Sequence, residues 1–180
     1  LADLKLNKIG NRYQPESMSG IAESRKLDFL SPYGCSKGAA DQYVRDYGRI
    51  YGLNTVVLRQ SCIYGNRQFG VEDQGWVAWF ALRALRRKGV TVFGDGFQVR
   101  DLLDVGDLVR LYGLIADSEQ NFGGVYNVGG GYTNSLSINE LLGLLRADFG
   151  LRTEVRHDTV RPGDQKFFVS DNSSLIADFG

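Results

Sequence analysis

Residues 31–52, SPYGCSKGAADQYVRDYGRIYG, decide how the rest of the chain is read. Ser31 is a good N-cap, and Pro32 suits the first helical position, where its missing N–H costs nothing. Ala39, Ala40, Tyr43, Val44, Tyr47 and Ile50 recur at three- to four-residue spacing. The segment is therefore predicted to be an amphipathic helix ended by Gly52. Within it Tyr33 and Lys37 stand four apart, which stacks their side chains on one face, one turn apart. A free tyrosine titrates near pH ~10, and a neighbouring cation favours its phenolate form. The pair is thus a candidate for taking a proton from a substrate hydroxyl. The same spacing also arises by chance, as a partly exposed Tyr-Lys pair on a helix, so its context has to decide.

Working outward, residues 1–30 are polar and weakly periodic and predict a long surface loop. Residues 54–59, NTVVLR, are a β-branched run that predicts a buried strand. A loop over residues 60–75 follows, and then Trp76, Trp79, Phe80, Leu82 and Leu85 predict a second helix. Two extended runs flank the turn signal Gly94-Asp95-Gly96. GDLVRLYGLIAD (residues 106–117) predicts a third helix and GVYNVGG (residues 124–130) another strand. Ser137 and Glu140 form a capping-box pattern that opens a fourth helix, stopped by Gly150. TEVRH (residues 153–157) predicts a strand, and a last helix is expected from Asp171. Strands alternating with helices imply an α/β fold with a largely parallel sheet.

Composition removes several functional classes. The chain has 180 residues and 43% apolar content, enough for a real core. Lys plus Arg (21) balances Asp plus Glu (21), and no basic run exceeds LRRK at residues 85–88, so nucleic-acid binding through bulk charge is not expected. No apolar run approaches the ~18 residues of a membrane span, and no signal-peptide pattern opens the chain, so a cytoplasmic protein is expected. Cys35 and Cys62 form no CxxC pattern and read as free thiols. With one histidine, His157, neither a Ser-His-Asp site nor a zinc site is expected, and no metal is assigned.

The opening helix also resembles the active-site helix of the extended short-chain dehydrogenase/reductase superfamily, the nucleotide-sugar epimerases and dehydratases. The resemblance continues through VVLRQSCIYGNRQ (residues 56–68), VFGDGFQVRDLLDVGDLV (92–109), VYNVGGG (125–131) and RPGDQK (161–166). IYGNRQF followed by DQGWVAWF (73–80) is similar to the branch that epimerises CDP-linked deoxysugars at C2 through transient oxidation by bound NAD. The implied fold is the C-terminal half of a Rossmann-like parallel sheet plus a smaller mixed α/β substrate domain. Residues 1–63 would supply the second half of the NAD-binding domain. Residues 64–180 would mostly bind the nucleotide-sugar, with a return to the cofactor domain near residues 90–130.

Residue by residue, the resemblance implies that Tyr33 is the catalytic acid/base, and that Lys37 favours its phenolate and holds the nicotinamide ribose. Ser61 and Cys62 would pass the nicotinamide, Cys62 as a small wall residue. Tyr64, Arg67 and Gln68 would line the sugar pocket. Gln74, Gly75 and Trp76 would accommodate the nucleotide, although Trp76 reads equally well as a core anchor of its helix. Arg100 and Arg161 would clamp the diphosphate, work that suits a planar, permanently charged guanidinium. Asp101 and Asp104 read as structural, capping or orienting Arg100.

Gly129-Gly130-Gly131 lacks GxGxxG spacing, and no glycine-rich phosphate turn occurs elsewhere in the sequence. The resemblance therefore implies a fragment of a longer enzyme, inactive alone and homo-oligomeric (dimer or tetramer) when complete. Two alternatives stand beside it. One is a 4-epimerase or 4,6-dehydratase acting on another nucleotide-sugar. The other is a non-catalytic module that binds nucleotide-sugar or dimerises, for which exposed Tyr43, Tyr47 or Trp79 would be suited.

Overall fold

A computed structural model describes residues 4–16, 20–118, 123–150 and 153–180. Residues 1–3 and 17–19 of the predicted N-terminal loop lie outside them. The elements run β1 (Leu6–Ile9), β2 (Arg12–Pro15), α1 (Pro32–Tyr51), β3 (Val57–Gln60) and β4 (Cys62–Tyr64). Next come α2 (Trp76–Leu85), β5 (Val90–Phe93), β6 (Val99–Asp104), α3 (Val105–Asp117) and β7 (Val125–Val128). β8 (Ser135–Ser137), α4 (Ile138–Phe149), β9 (Val155–Asp158), β10 (Phe167–Phe168) and α5 (Ser173–Phe179) complete the order.

The helices begin and end where local chemistry stops them. The Ser31 hydroxyl accepts from the Gly34 N–H at 3.0 Å, and Gly52 closes α1 in the left-handed region at φ 65°. Both halves of the Ser137/Glu140 capping box form, at 3.0 and 2.8 Å. Asp104 caps α3 through the Gly106 N–H at 2.7 Å. α5 starts at Ser173, two residues after the expected Asp171, whose carboxylate accepts from the Ser173 N–H at 3.0 Å.

Parallel pairing dominates, as the alternation of elements implied. β3 pairs β7, β4 and β10 both pair β6, and β5 pairs β9, all in parallel. The antiparallel pairs are β1–β2 and β6–β8. Three apolar clusters lie between the layers. Phe80, Ala84, Val90, Val92, Leu141 and Leu145 join α2, α4 and β5. Leu108, Leu111, Tyr126 and Val128 join α3 to β7. Val99, Phe167 and Val169 fill the space below β6, with Leu4 and Leu6 against them. No helix of the described residues is long and apolar enough to cross a membrane.

Two expectations need correction. The predicted N-terminal loop contains the β1–β2 hairpin, turned at Gly10-Asn11, with Gly10 at φ 58°. Its strands look polar because they are held by polar contacts. Arg12 pairs with Glu140 at 2.8 Å, and the Tyr13 N–H bonds the Phe97 carbonyl at 2.9 Å. The predicted loop 60–75 contains β4, which is only three residues long and acquires its strand character from β6. The apolar stripe of α1, whose Tyr43 and Tyr47 could have been either exposed or in the core, is not buried. The helix buries only Gly38 and Asp41, while Tyr43, Tyr47 and Ile50 face solvent. α1 is instead tied down by charge, with Arg59 of β3 bonding Asp41 at 2.7 Å.

Candidate active site

Helix geometry alone sets the Tyr33–Lys37 pair. One turn apart on α1, they place the Lys37 ammonium 5.5 Å from the Tyr33 ring centroid, and Tyr33 is 72% exposed. Two cavities open on either side of this tyrosine. The first, about 590 Å³, is a groove between α1 and β3 with Lys37, Gly38, Val57 and Leu58 in its walls. The second, about 620 Å³, lies among α2, β5, β6 and residues 161–164. Among the described residues, Tyr33 is the one the two cavities share.

The second cavity gathers most of the expected substrate residues. Gln74, Gly75, Trp76, Arg100 and Arg161 all line it, and so does Cys62, which was expected beside the nicotinamide. Arg100 donates to the Val99 carbonyl at 2.8 Å and to Asp164 at 2.9 Å, which holds its guanidinium in one place. Arg161 lies over Phe93, its guanidinium carbon 3.8 Å from the ring centroid, and pairs with Asp73 at 2.8 Å. The two guanidinium groups bring planar, permanently charged donors to the lining, each paired with a carboxylate, Asp164 or Asp73. Burial pushes the Cys62 thiol up, and the neighbouring Trp76 indole and Arg100 charge only partly oppose it. The Trp76 N–H makes no hydrogen bond of ordinary geometry, nor does that of Trp79.

Other expected residues fall elsewhere. Lys37 lines the first groove, and Tyr64 a third cavity beside Asp104. Arg67 is exposed, outside both main cavities, and holds a left-handed φ of 66°. Gln68 turns inward and donates to the Ile63 carbonyl at 2.9 Å, forming the seat on which Gly75 packs. Ser61 faces away from the groove and gives its hydroxyl to Asp101.

Asp101 corrects another expectation. It does not orient Arg100, a task that Asp164 performs. It is fully buried and collects the hydroxyls of Ser61 and Ser170 and the N–H groups of Ser170 and Gly131, the last two at 3.1 Å. The glycines that follow β7 serve this carboxylate. A Cβ on Gly129 would stand 2.1 Å from the Asp101 carboxylate oxygen, and one on Gly130 2.0 Å from the Leu102 carbonyl. Close packing around a buried anion, and not a phosphate loop, explains the triplet.

Sequence reasoning missed Trp79, Phe93, Gln98, Asp73 and Asp164 in this cavity. Gln98 is buried and donates to the Phe93 carbonyl at 2.6 Å and to Asp164 at 3.3 Å, bracing both the aromatic floor and the partner of Arg100. The available signals were faint: Phe93 and Gln98 flank the Gly-Asp-Gly turn, and Asp164 stands three residues after Arg161.

The model of the NAD dependent epimerase/dehydratase family matches residues 13–129. CDP-paratose 2-epimerase of Salmonella typhi is 46% identical over 178 residues, 95% of this chain and 53% of that protein. Among solved structures, UDP-glucose 4-epimerase of Thermotoga maritima with UDP-glucose superposes at TM-score 0.78, with 32% identity over 89% of this chain and 51% of its own. UDP-glucuronic acid 4-epimerase of Bacillus cereus, in complex with UDP-glucuronic acid and NAD, superposes at 0.79 with 27% identity over 92% of this chain and 52% of its own. The chain spans about half the length of the curated relatives it matches. With a family model across most of its length and a relative this similar from end to end, the chain belongs to the NAD dependent epimerase/dehydratase family.

Proposed function

We propose that this chain supplies the reacting tyrosine and the nucleotide-sugar pocket of an epimerase acting at C2 of a CDP-linked deoxysugar, converting CDP-paratose to CDP-tyvelose. The observation that carries the reading is the position of Tyr33, shared by a groove beside Lys37 and by a cavity holding two arginines. The choice of CDP and of C2 follows the 46% identity to CDP-paratose 2-epimerase.

An exposed phenol and ammonium, side by side over the apolar floor of β3, fit the nicotinamide-ribose end of NAD. Tyr33 and Lys37 would hold it there, and NAD when bound supplies the acceptor and later the donor of hydride. Tyr33 removes the proton of the C2 hydroxyl and returns it once the sugar has turned over. Lys37 sets its ammonium beside the ring, where it stabilises charge that develops on the phenol oxygen during the transfer. Arg100 and Arg161 retain the diphosphate while the deoxysugar rotates about its link to it, so the oxidised sugar stays in the cavity. Residues 1–63 serve the cofactor side and 64–180 mostly the sugar side, with residues 90–130 returning to the first. The complete enzyme is a homo-oligomer in this reading.

The test is turnover of CDP-paratose with NAD in D₂O by the complete reading frame that carries this chain. The expected product is CDP-tyvelose unlabelled at C2, with Tyr33→Phe slowing it about 10²- to 10⁴-fold. Stoichiometric deuterium at C2 contradicts hydride return. Faster turnover of UDP-glucose or dTDP-glucose would assign the chain to a 4-epimerase or a 4,6-dehydratase instead. No turnover with any of them, alongside CDP binding, would leave a binding module.

A further inference from the structure

We infer that Asp73 is an internal anion that occupies Arg161 at the mouth of the nucleotide cavity and must be displaced by the incoming diphosphate. The inference rests on reading that cavity as a nucleotide-sugar site. Val71 and Gln74 bond each other in both directions, N–H to carbonyl at 2.9 and 3.1 Å, and so pin a tight turn with Glu72 and Asp73 at its tip. From that tip Asp73 reaches the Arg161 guanidinium at 2.8 Å, with its own side chain 84% exposed.

The two arginines are held differently. Arg100 is fixed from behind, by the Val99 carbonyl and the partly buried Asp164. Arg161 is positioned over the Phe93 ring, and its ion-pair partner is the exposed Asp73. Removing Asp73 leaves the Phe93 contact intact, so Arg161 stays in place and gains a free donor for the ligand. An ion pair this exposed is weak and exchanges readily, whereas a diphosphate offers several charged oxygens to one guanidinium. Asp73 therefore lowers nucleotide affinity modestly and supplies the partner that Arg161 returns to on release.

The test is calorimetric titration of the chain with CDP. Asp73→Asn is expected to bind about two- to fivefold tighter than wild type, and Asp73→Glu to restore the wild-type value. Glu72→Gln removes the same charge from the same turn without touching Arg161, and is expected to change affinity by less than half as much. Equal tightening by Glu72→Gln overturns the inference in favour of general repulsion. Unchanged or weaker binding by Asp73→Asn also overturns it, the weaker case making Asp73 a ligand contact. Arg161→Ala separates the two levels of the reading. If it binds CDP as well as wild type, the assignment of the cavity has failed before the role of Asp73 is reached. Far-UV circular dichroism checks that every variant is folded.

Discussion

The two cavities that meet at Tyr33 differ in what stands behind them. Behind the cavity with the two arginines, α2, β5 and α4 close on Phe80, Ala84, Val90, Val92, Leu141 and Leu145. Behind the groove with Lys37, α1 buries a glycine and an aspartate, and Tyr47 is 52% exposed. The helix carrying Tyr33 and Lys37 is shaped by its caps and one charge anchor. The cavity carrying the arginines is shaped by tertiary packing. Sequence-local devices thus suffice to set Lys37 beside Tyr33, but not to position Arg100 and Arg161.

The difference has its largest expected consequence in stability. Phe80→Ala removes an aromatic ring from the packed side and should cost about 3–5 kcal/mol. Tyr47→Ser, on the open face of α1, should change stability by no more than about 0.5 kcal/mol. Urea unfolding followed by tryptophan fluorescence measures both, and comparable losses would abolish the distinction.

A pair of glycines sharpens it. A Cβ added to Gly38 or to Gly130 would meet a neighbouring atom at 2.0 Å in each case. For Gly38 that atom is the ring tip of Phe29, a half-exposed side chain that can swing aside, while alanine stabilises the helix by about 0.5–1 kcal/mol. Gly38→Ala should be close to neutral. For Gly130 the atom is the Leu102 carbonyl of β6, which cannot move alone, and Gly130→Ala should cost about 1–3 kcal/mol or more. Equal thermal shifts for the two variants would mean that α1 is held as firmly as β6.

The smallest effect concerns the hairpin that closes over β6. Tyr13 donates to Asp95 at 2.7 Å and Lys8 pairs with the same carboxylate at 3.0 Å. Burial raises the Asp95 pKa, but the bonds from Tyr13, Lys8 and the Phe97 N–H outweigh it, and the net direction is down from 3.8. Tyr13 is pushed up to about 12, chiefly by its bond to Asp95. The signs follow from which state binds the proton more tightly. The Asp95 contribution is present above pH 3.8 and lost as pH falls through the lowered folded value. The Tyr13 contribution is complete below pH 10 and lost as pH rises toward 12. Amide exchange in β1 and β2 should therefore accelerate at both extremes. Tyr13→Phe should remove the hairpin's alkaline response while Tyr126, also pushed up to about 12, keeps its own. An unaltered alkaline response in that variant would exclude the Tyr13–Asp95 bond as its source.

What was legible in the sequence follows the same division. Ser31, Gly52, Ser137, Glu140 and Gly150 act on neighbours within five residues, and their helices are found where the spacing puts them. The strands of two to three residues, β4, β8 and β10, were not found, because each is a strand only through its pairing with β6. Around the two cavities, Tyr33 with Lys37 and the two arginines could be singled out from their motifs as lining residues. Phe93, Gln98, Asp73 and Asp164 could not, since what makes them matter is contact across long separations. The partner of Asp101 was misjudged for the same reason: the nearest charge in sequence is Arg100, but the nearest donors in space are Ser61, Ser170 and Gly131.

The identity of the nucleotide is read most directly by titrating the chain with CDP, UDP and dTDP and following the fluorescence of Trp76 and Trp79. These are its two tryptophans, and both line the arginine cavity. CDP should saturate the signal at the lowest concentration, and Arg100→Ala should weaken that binding about tenfold or more. Fluorescence indifferent to CDP in a folded chain, or a stronger response to UDP or dTDP, would contradict a CDP-sugar pocket at Tyr33.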